Sequence, residues 1–316
     1  MHVYRWDLDR TYLDTDIDSV RSLVRHALEP ASQKRNIPGA DALLRGLIRS
    51  TPDCRVSIVS GSPEQMRATL AEKLRLDGVR FDHLVLKDSL KSLRRGQIRA
   101  VTGQVGYKLP QLFKLRAGLG PPVRETLFGD DSEVDALVYT LYADAIAGRI
   151  GSDEVARVME AGGAYPDAVA EALAALAHLG RADAVEHIFI HLDRGAPMAQ
   201  FNLLGSRLIP VFSWVQAAVV LCAGGRLQPG ALGDVAADCA KHERLSAASL
   251  CGLLQDLARR GILESAQILD TMSEPDAWPV SRSMVERTLR RVDGPVARKQ
   301  PIRATAQYLA FLRSRK

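Results

Sequence analysis

The sequence predicts an α/β protein with two parts: a doubly wound parallel sheet in residues 1–150 and an all-helical domain in residues 151–316. Three observations lead to this prediction. The chain has 316 residues, about twice the usual length of one domain. Up to residue 150, short apolar runs alternate with amphipathic stretches, the rhythm of strands and crossover helices. After Gly151, β-branched clusters become rare, and Ala and Leu recur at helical spacing.

The first part contains alternating strand and helix candidates. The strands are Val3 to Trp6, Arg55 to Val59, Phe81 to Leu86 and Glu125 to Phe128. The helices are Pro38 to Ile48, Ser62 to Leu76, Leu109 to Leu119 and Glu133 to Ala147. Ser62 starts a capping-box pattern, Ser-Pro-Glu-Gln, so its hydroxyl is expected to cap the second of these helices. Strands joined by helices in this order predict a parallel sheet covered on both faces.

The second part is expected to be helical throughout. A weak similarity between Leu176 to Val185 and Leu257 to Ala266 leaves helical-hairpin repeats as one interpretation. The longest apolar run, Leu208 to Ala223, has 16 residues and is too short to span a bilayer, so it predicts a buried core helix. We expect no transmembrane segment. The helical part would serve as a lid or as an interaction module for a protein partner.

The composition excludes several classes of protein. With 47% hydrophobic and 25% charged residues, the chain has enough apolar mass for a core and is not disordered. Its 4 cysteines form no Cys-x-x-Cys pair, which argues against a zinc cage and favours a reducing, cytoplasmic location. The net charge of +5 favours an anionic substrate or surface. Aromatic residues make up only 5%, so a nucleic-acid partner is not expected.

Polar residues of catalytic type follow or end three of the predicted strands. These residues are Asp7, Ser60 and Asp130. In an open parallel sheet the carboxyl ends of the strands lie along one edge, and ligands bind there. The topology therefore predicts that these three side chains meet in one cleft, although they are far apart in the chain.

The same residues belong to four short motifs. The first is Asp-x-Asp-x-Thr, from Asp7 to Thr11; the second is Ser60; the third is Lys108, which opens a helix; the fourth is Gly129-Asp130 with Asp135 five residues on. In order and context they resemble the haloacid-dehalogenase-like phosphohydrolase superfamily. The segments VSGSP, GYKL and GDDSEVDALVY are similar to a subgroup containing the actin-patch-associated phosphatidate phosphatases. The resemblance covers residues 1–150.

The chemistry of phosphoryl transfer explains these residue types. A carboxylate, here Asp7, can act as a nucleophile and form an aspartyl-phosphate. A divalent cation must then screen the nucleophile from the anionic phosphate, and Mg²⁺ prefers oxygen ligands such as the carboxylates of Asp7 and Asp130. The resemblance implies Mg²⁺ as cofactor and adds two ligands, the backbone carbonyl of Asp9 and, through a water, Asp135.

The resemblance also implies the remaining roles. The Asp9 carboxyl would be the general acid and base. Lys108 would neutralise both the nucleophile and the transferred phosphoryl group. The phosphate-binding set is Thr11, which would also fix the loop, Ser60, the backbone amide of Gly61, and Lys108.

Several alternatives stay open. Asp131 could replace Asp130 as a metal ligand. The acidic run of Asp14, Asp16 and Asp18 is interpreted as a solvated face. The basic segment from Lys87 to Arg116 is either a solvated helix or a surface for a phosphate-rich substrate.

The sequence thus predicts a Mg²⁺-dependent phosphatase that hydrolyses a phosphomonoester of unknown identity. Only 26 residues separate Thr11 from Pro38 and 47 separate Ser60 from Lys108, so neither interval holds a large cap. Capless relatives tend to act on bulky substrates, which makes a bulky or lipid substrate one expectation. The alternative functions are a binding or scaffold protein with a silent phosphatase domain and a phosphatase of nucleic-acid ends.

Overall fold

A six-stranded parallel sheet lies at the centre of the fold. The computed structural model describes residues 1–15, 29–88, 103–132, 134–243, 245–274, 278–292 and 305–315. The strands are β1 (His2–Trp6), β2 (Cys54–Pro63), β3 (His83–Lys87), β4 (Arg124–Asp130), β5 (Val185–His191) and β6 (Leu208–Val211). The predicted α/β class with a doubly wound sheet is confirmed.

The strand order determines where a ligand can bind. The order is β3-β2-β1-β4-β5-β6, so the chain moves outward in one direction from β1 to β3 and in the other from β4 to β6. This is the Rossmann order, and its crevice lies where the direction reverses, between β1 and β4. The residues at the carboxyl ends of these two strands are therefore the first candidates for a site.

Helices cover the sheet on both faces. In the first half they are α1 (Ala40–Ser50), α2 (Arg67–Leu76), α3 (Gly103–Arg116) and α4 (Asp135–Ile146). Then follow α5 (Ser152–Ala161), α6 (Pro166–Ala177), α7 (Met198–Phe201), α8 (Trp214–Ala223), α9 (Pro229–His242), α10 (Ala247–Arg259), α11 (Ser265–Asp270), α12 (Arg282–Leu289) and α13 (Thr305–Ser314). Three short 3₁₀ turns occur at Ala31–Gln33, Glu64–Met66 and Asn202–Leu204.

The hydrophobic core divides into two clusters, one on each face of the sheet. Neighbouring residues of a strand point to opposite faces. Phe128 of β4 belongs to the cluster that also contains residues of α1, α2 and α8 to α12, whereas Leu127 belongs to the cluster with residues of α3 to α7 and α13. A stack of aromatic rings lies beneath the carboxyl edge, where the Trp6 ring is 4.1 Å from the Phe128 ring and 5.4 Å from the Trp214 ring.

The second half of the chain is not entirely helical, which corrects the prediction for residues 151–316. β5 and β6 come from this half, and β5 pairs with β4, so the two sides of the predicted boundary at residue 150 share one sheet. The apolar run Leu208 to Ala223 contains both β6 and α8 rather than one helix. Beyond β6, the regular elements that the structure describes are helices. None of the helices in the described ranges is long and apolar enough to cross a membrane.

A buried ion-pair network ties β1 and β4 to α3 and α4. Glu125 of β4 accepts hydrogen bonds from Arg5 (2.5 Å), Arg116 (2.8 Å) and the Tyr142 hydroxyl (2.9 Å). Burial would raise the Glu125 pKa, but the charges of the two arginines and the hydrogen bonds hold that pKa below its ordinary value. The network fixes α3, which carries Lys108, against the central strands.

A partly buried carboxyl lies where α8 meets α9. Ser213 caps α8 and donates a 3.1 Å hydrogen bond to Glu243. Burial raises the pKa of Glu243 from 4.5 to about 7, with Asp238 adding to the effect and the Ser213 hydrogen bond opposing it. The folded chain therefore binds this proton more tightly than the unfolded chain, so stability falls as the pH rises from about 4.5 to about 7.

Glu243→Gln should remove this loss of stability, because the amide keeps an acceptor for Ser213 and carries no charge. We expect the melting temperature of the variant to exceed that of wild type by roughly 2–4 °C at about pH 8, and by less at about pH 5. Glu160→Gln, an exposed position on α5, is the control. The same difference at both pH values would contradict the assignment.

Candidate active site

The predicted side chains meet at the carboxyl edge of the sheet. Thr11 lies between the ends of β1 and β4, with its hydroxyl 3.2 Å from Asp7 Oδ2 and 3.3 Å from Asp130 Oδ2. On the side of β2, the Ser60 hydroxyl donates to Asp9 Oδ2 over 3.0 Å. Three strands that are distant in the chain thus contribute to one cleft at the point where the sheet reverses direction.

Three buried carboxylates form the centre of the cleft. Asp7, Asp130 and Asp135 each place an oxygen so that the three atoms lie within 4.8 Å of one another. All three residues are buried. Carboxylates at this separation repel one another, and their burial removes the screening of water. The arrangement is therefore stable only with positive charge nearby.

Lys108 supplies one of these positive charges. Its Nζ lies 2.7 Å from Asp7 Oδ1 and 2.6 Å from Asp135 Oδ1, and its side chain is fully buried. The lysine stands inside α3, which begins at Gly103, so Lys108 does not open the helix as expected. Lys108 thus places one positive charge beside the three carboxylates.

One carboxylate oxygen of the cluster is buried without a hydrogen-bond partner among the described residues. This atom is Oδ2 of Asp135. A buried carboxylate oxygen has lost its hydrogen bonds to water, and this loss is destabilising unless a cation or a hydrogen-bond donor binds to the oxygen. Together the donor set consists of carboxylate oxygens, which suits a hard divalent cation such as Mg²⁺.

Gly129 allows Asp135 to come this close to β4. A Cβ at position 129 would lie 2.6 Å from Asp135 Oδ2 and 2.8 Å from Tyr139 Cε2. Such contacts are far inside van der Waals distance, so α4 could not hold its position against a larger residue. The glycine of the fourth motif is thus explained by close approach of a helix to the strand backbone.

Two serines hold the carboxylate of Asp9. Ser60 Oγ and Ser62 Oγ donate to the same oxygen, Oδ2, over 3.0 and 2.7 Å. The other oxygen, Oδ1, is buried without a hydrogen-bond partner among the described residues. Asp9 is therefore held in one orientation beside the acid cluster, with one oxygen committed to the serines.

The capping role predicted for Ser62 is wrong. The turn Glu64–Met66 begins after Pro63 with no side-chain cap, and Ser62 still belongs to β2. Residues two apart in a strand share a face, so Ser60 and Ser62 point the same way. That alternation was the available signal for Ser62. Gly61, between the serines, lies where the pairing of β2 with β3 shifts register.

The loop after Asp9 has a strained conformation that is anchored by the second half of the chain. Arg10 has φ +59°, in the left-handed region that L-residues rarely adopt. Its backbone NH donates to the carbonyl of Leu13 over 2.8 Å, and its guanidinium binds Asp193, after β5, over 3.0 Å. The indole NH of Trp214 donates to the Thr11 carbonyl over 3.2 Å. Nothing local in the sequence identified these anchors.

Asp130 and Asp131 face different parts of the molecule. Asp130 Oδ1 accepts a 2.6 Å hydrogen bond from the Ser132 backbone NH, and its Oδ2 faces Thr11. The carboxylate of Asp131 accepts hydrogen bonds from the backbone NH groups of Arg194 and Ala196, each over 2.8 Å. Asp130 is thus the neighbour of Asp7, whereas Asp131 holds the loop that follows β5.

The basic segment from Lys87 to Arg116 is only partly described. Residues 89–102 lie outside the described ranges, as do Asp16 and Asp18 of the acidic run. Of the described cations, Lys108 belongs to the acid cluster and Arg116 to the buried network around Glu125. Lys114 forms an ion pair with Glu171 on the surface. These three charges therefore do not form an open basic surface.

The parallel sheet and the carboxylate cluster at its carboxyl edge agree with the resemblance to the haloacid-dehalogenase-like phosphohydrolases. Residues 6–152 match a family model described as phosphatidate phosphatase APP1, catalytic domain. The match confirms the resemblance drawn from the four motifs, and it implies that this segment is a phosphoric monoester hydrolase, that is, a phosphatase. Comparison with curated proteins and with solved structures gave no match.

Ser62→Ala should lower phosphatase turnover, because it removes the shorter of the two hydrogen bonds that orient Asp9. One hydrogen bond to a charged group is worth about 1.5 kcal/mol or more, so kcat for p-nitrophenyl phosphate should fall roughly tenfold. Ser283→Ala, an exposed serine on α12, should leave kcat unchanged. Equal kcat values for the two variants would show that Asp9 does not depend on Ser62.

Proposed function

We propose that this chain is a Mg²⁺-dependent phosphatase that forms an aspartyl-phosphate on Asp7. The observation that carries the proposal is the buried cluster of Asp7, Asp130 and Asp135, which Lys108 bridges and which lies beside the oriented carboxylate of Asp9. Phosphoryl transfer depends on positioning and charge neutralisation, and these residues supply both.

The residues present fit a divalent metal. Asp7 and Asp130 would bind it through carboxylate oxygens, and Asp135 has a buried oxygen without a described partner. The family resemblance adds the backbone carbonyl of Asp9. When bound, Mg²⁺ would neutralise charge between the anionic nucleophile and the phosphate.

Asp7 is proposed as the nucleophile because both of its oxygens are held. Lys108 donates to Oδ1 and Thr11 to Oδ2. A carboxylate fixed in this way loses little freedom when it attacks. As the bond from Asp7 to phosphorus forms, the bond from phosphorus to the leaving oxygen breaks, and Lys108 remains beside the transferred group to balance its charge.

Asp9 is proposed to move the proton. In the first step it would donate a proton to the leaving oxygen, and the alcohol would depart. The ionised carboxylate would then accept a proton from the water that attacks phosphorus, releasing inorganic phosphate and free Asp7. The hydrogen bonds from Ser60 and Ser62 support this assignment, since they orient Asp9 and leave its other oxygen for the reaction.

Ser60, the backbone NH of Gly61 and Thr11 are proposed to bind the phosphate oxygens with Lys108. Ser60 and Gly61 lie in the part of β2 that leaves its register with β3, which supports contact with a ligand rather than with the sheet. The Thr11 hydroxyl faces Asp7 and Asp130.

The substrate is proposed to be a bulky phosphomonoester, and phosphatidate is the first candidate because the matching family is described by that activity. A cytoplasmic location and a protein partner for the helices beyond β6 stay predictions. The competing proposals are a phosphatase of nucleic-acid ends and a binding or scaffold protein with a silent phosphatase domain.

The test compares hydrolysis of p-nitrophenyl phosphate by wild type, Asp7→Asn and Asp14→Asn, with Mg²⁺ and with EDTA. Asp14 is an exposed residue of the same loop and serves as the matched control. We expect turnover by wild type and Asp14→Asn that needs Mg²⁺, and a loss of at least about a thousandfold in Asp7→Asn, because no other group would form the covalent intermediate.

Turnover that survives in Asp7→Asn or in EDTA would contradict the proposal. If wild type does not hydrolyse this small ester, binding of Mg²⁺ with beryllium fluoride, a mimic of the aspartyl-phosphate, decides the question. Binding would support a competent site that selects larger substrates, and phosphatidate in detergent micelles and 5′-phosphorylated oligonucleotides would be compared next. Absence of binding would favour a binding or scaffold protein with a silent phosphatase domain.

A further inference from the structure

The turn at residues 131–132 lies in the chain between two members of the acid cluster. It lies between Asp130, which ends β4, and Asp135, which begins α4. Ser132 donates through its backbone NH to Asp130 Oδ1 over 2.6 Å, and its hydroxyl contacts the same oxygen. A shift of this turn would therefore move the carboxylate of Asp130 directly.

Arg315 binds this turn from outside the segment that matches the phosphatase family. Its Nη2 donates to the backbone carbonyl of Asp131 over 2.9 Å and to that of Ser132 over 3.1 Å. Carbonyls in a tight turn need donors, and a guanidinium is a rigid, permanently charged one. One side chain thus holds two successive peptide groups beside Asp130.

The helix α13, which ends one residue before Arg315, is firmly docked. Phe311 of α13 is fully buried, with its ring 6.0 Å from that of Phe201, and the Tyr308 hydroxyl donates to Asp144 of α4. Thr305 donates to Glu154 of α5 over 2.7 Å. The guanidinium of Arg315 lies 5.9 Å from the Phe311 ring centre. These contacts make α13 a rigid support for the arginine.

The turn is held from its other side by the loop that follows β5. The carboxylate of Asp131 accepts hydrogen bonds from the backbone NH groups of Arg194 and Ala196. The backbone NH of Asp131 donates to the carbonyl of His191 over 3.0 Å. Arg315 and the β5 loop therefore hold opposite groups of the same residue.

We propose that Arg315 is a positioning residue for the metal-binding carboxylates: it fixes the 131–132 turn, and through it the distance between Asp130 and Asp135. This inference rests on the proposed function, since it assumes that the acid cluster binds a divalent cation. The inference assigns a role in the active site to a residue beyond the segment that matches the phosphatase family. Residues that orient metal ligands in this way typically change metal affinity 10- to 100-fold when altered.

The test measures binding of Mn²⁺ alone, by the electron paramagnetic resonance signal of the free ion, in the full chain without substrate. Arg315→Met removes the donors but keeps an apolar stem for the contact with Phe311. We expect its Mn²⁺ dissociation constant to rise about tenfold, with a melting temperature without metal within about 3 °C of wild type. Arg315→Lys keeps a charged donor and should stay within about threefold of wild type. Arg313→Met, an exposed position in the last turn of α13, is the control and should bind as wild type.

The outcomes separate this inference from the proposed function. If wild type binds no Mn²⁺, the metal-dependent function and the inference both fail. If wild type binds Mn²⁺ and Arg315→Met binds equally well, only the inference fails. Equal losses in Arg315→Met and Arg313→Met would also overturn it, because they would report damage to α13. So would equal losses in the methionine and lysine variants, because the hydrogen bonds would then not be the cause.

Discussion

The buried bridge that Lys108 makes between Asp7 and Asp135 is the interaction on which the rest of the site depends. Lys108 belongs to α3, Asp7 directly follows β1 and Asp135 begins α4, so the bridge forms only when all three elements are in place. Burial of charge is costly unless each group is paired and hydrogen-bonded. The network around Glu125 supports the bridge. Its charges are paired and hydrogen-bonded, and it fixes α3 and α4 against β1 and β4.

The bridge neutralises part of the negative charge of the three carboxylates. In the cluster as the described residues form it, one lysine faces three carboxylates, and a divalent cation could balance the remaining negative charge. The same lysine lies 2.7 Å from Asp7 Oδ1, so in the proposed mechanism it would serve both the nucleophile and the cluster. Lys108 would thus have two roles, one in stabilising the buried carboxylates and one in the proposed chemistry.

Much of the fold and of the cluster could be predicted from the sequence because the signals are local. Short apolar runs ending at Asp7, Ser60 and Asp130 identified the strands, and the rule that parallel strands share a carboxyl edge brought these residues together. β6 was missed because its four residues continue into the apolar helix α8, and the whole run has the length of a helix. Ser62 was misassigned because the sequence Ser-Pro-Glu-Gln is compatible both with a helix cap and with the end of a strand. Trp214, Asp193 and Arg315 reach the site from distant parts of the chain, and no local pattern reports such contacts.

The central claim is that Asp7 carries the phosphoryl group during turnover. The most direct measurement is to stop the reaction with p-nitrophenyl phosphate and Mg²⁺ by rapid acid quench, reduce the protein with borohydride, and map its peptides by mass spectrometry. Borohydride converts an aspartyl-phosphate into homoserine and leaves free carboxylates unchanged. We expect homoserine at residue 7 in the turning-over enzyme and none when substrate is omitted. Turnover without homoserine at residue 7, or with homoserine at another aspartate, would contradict the account.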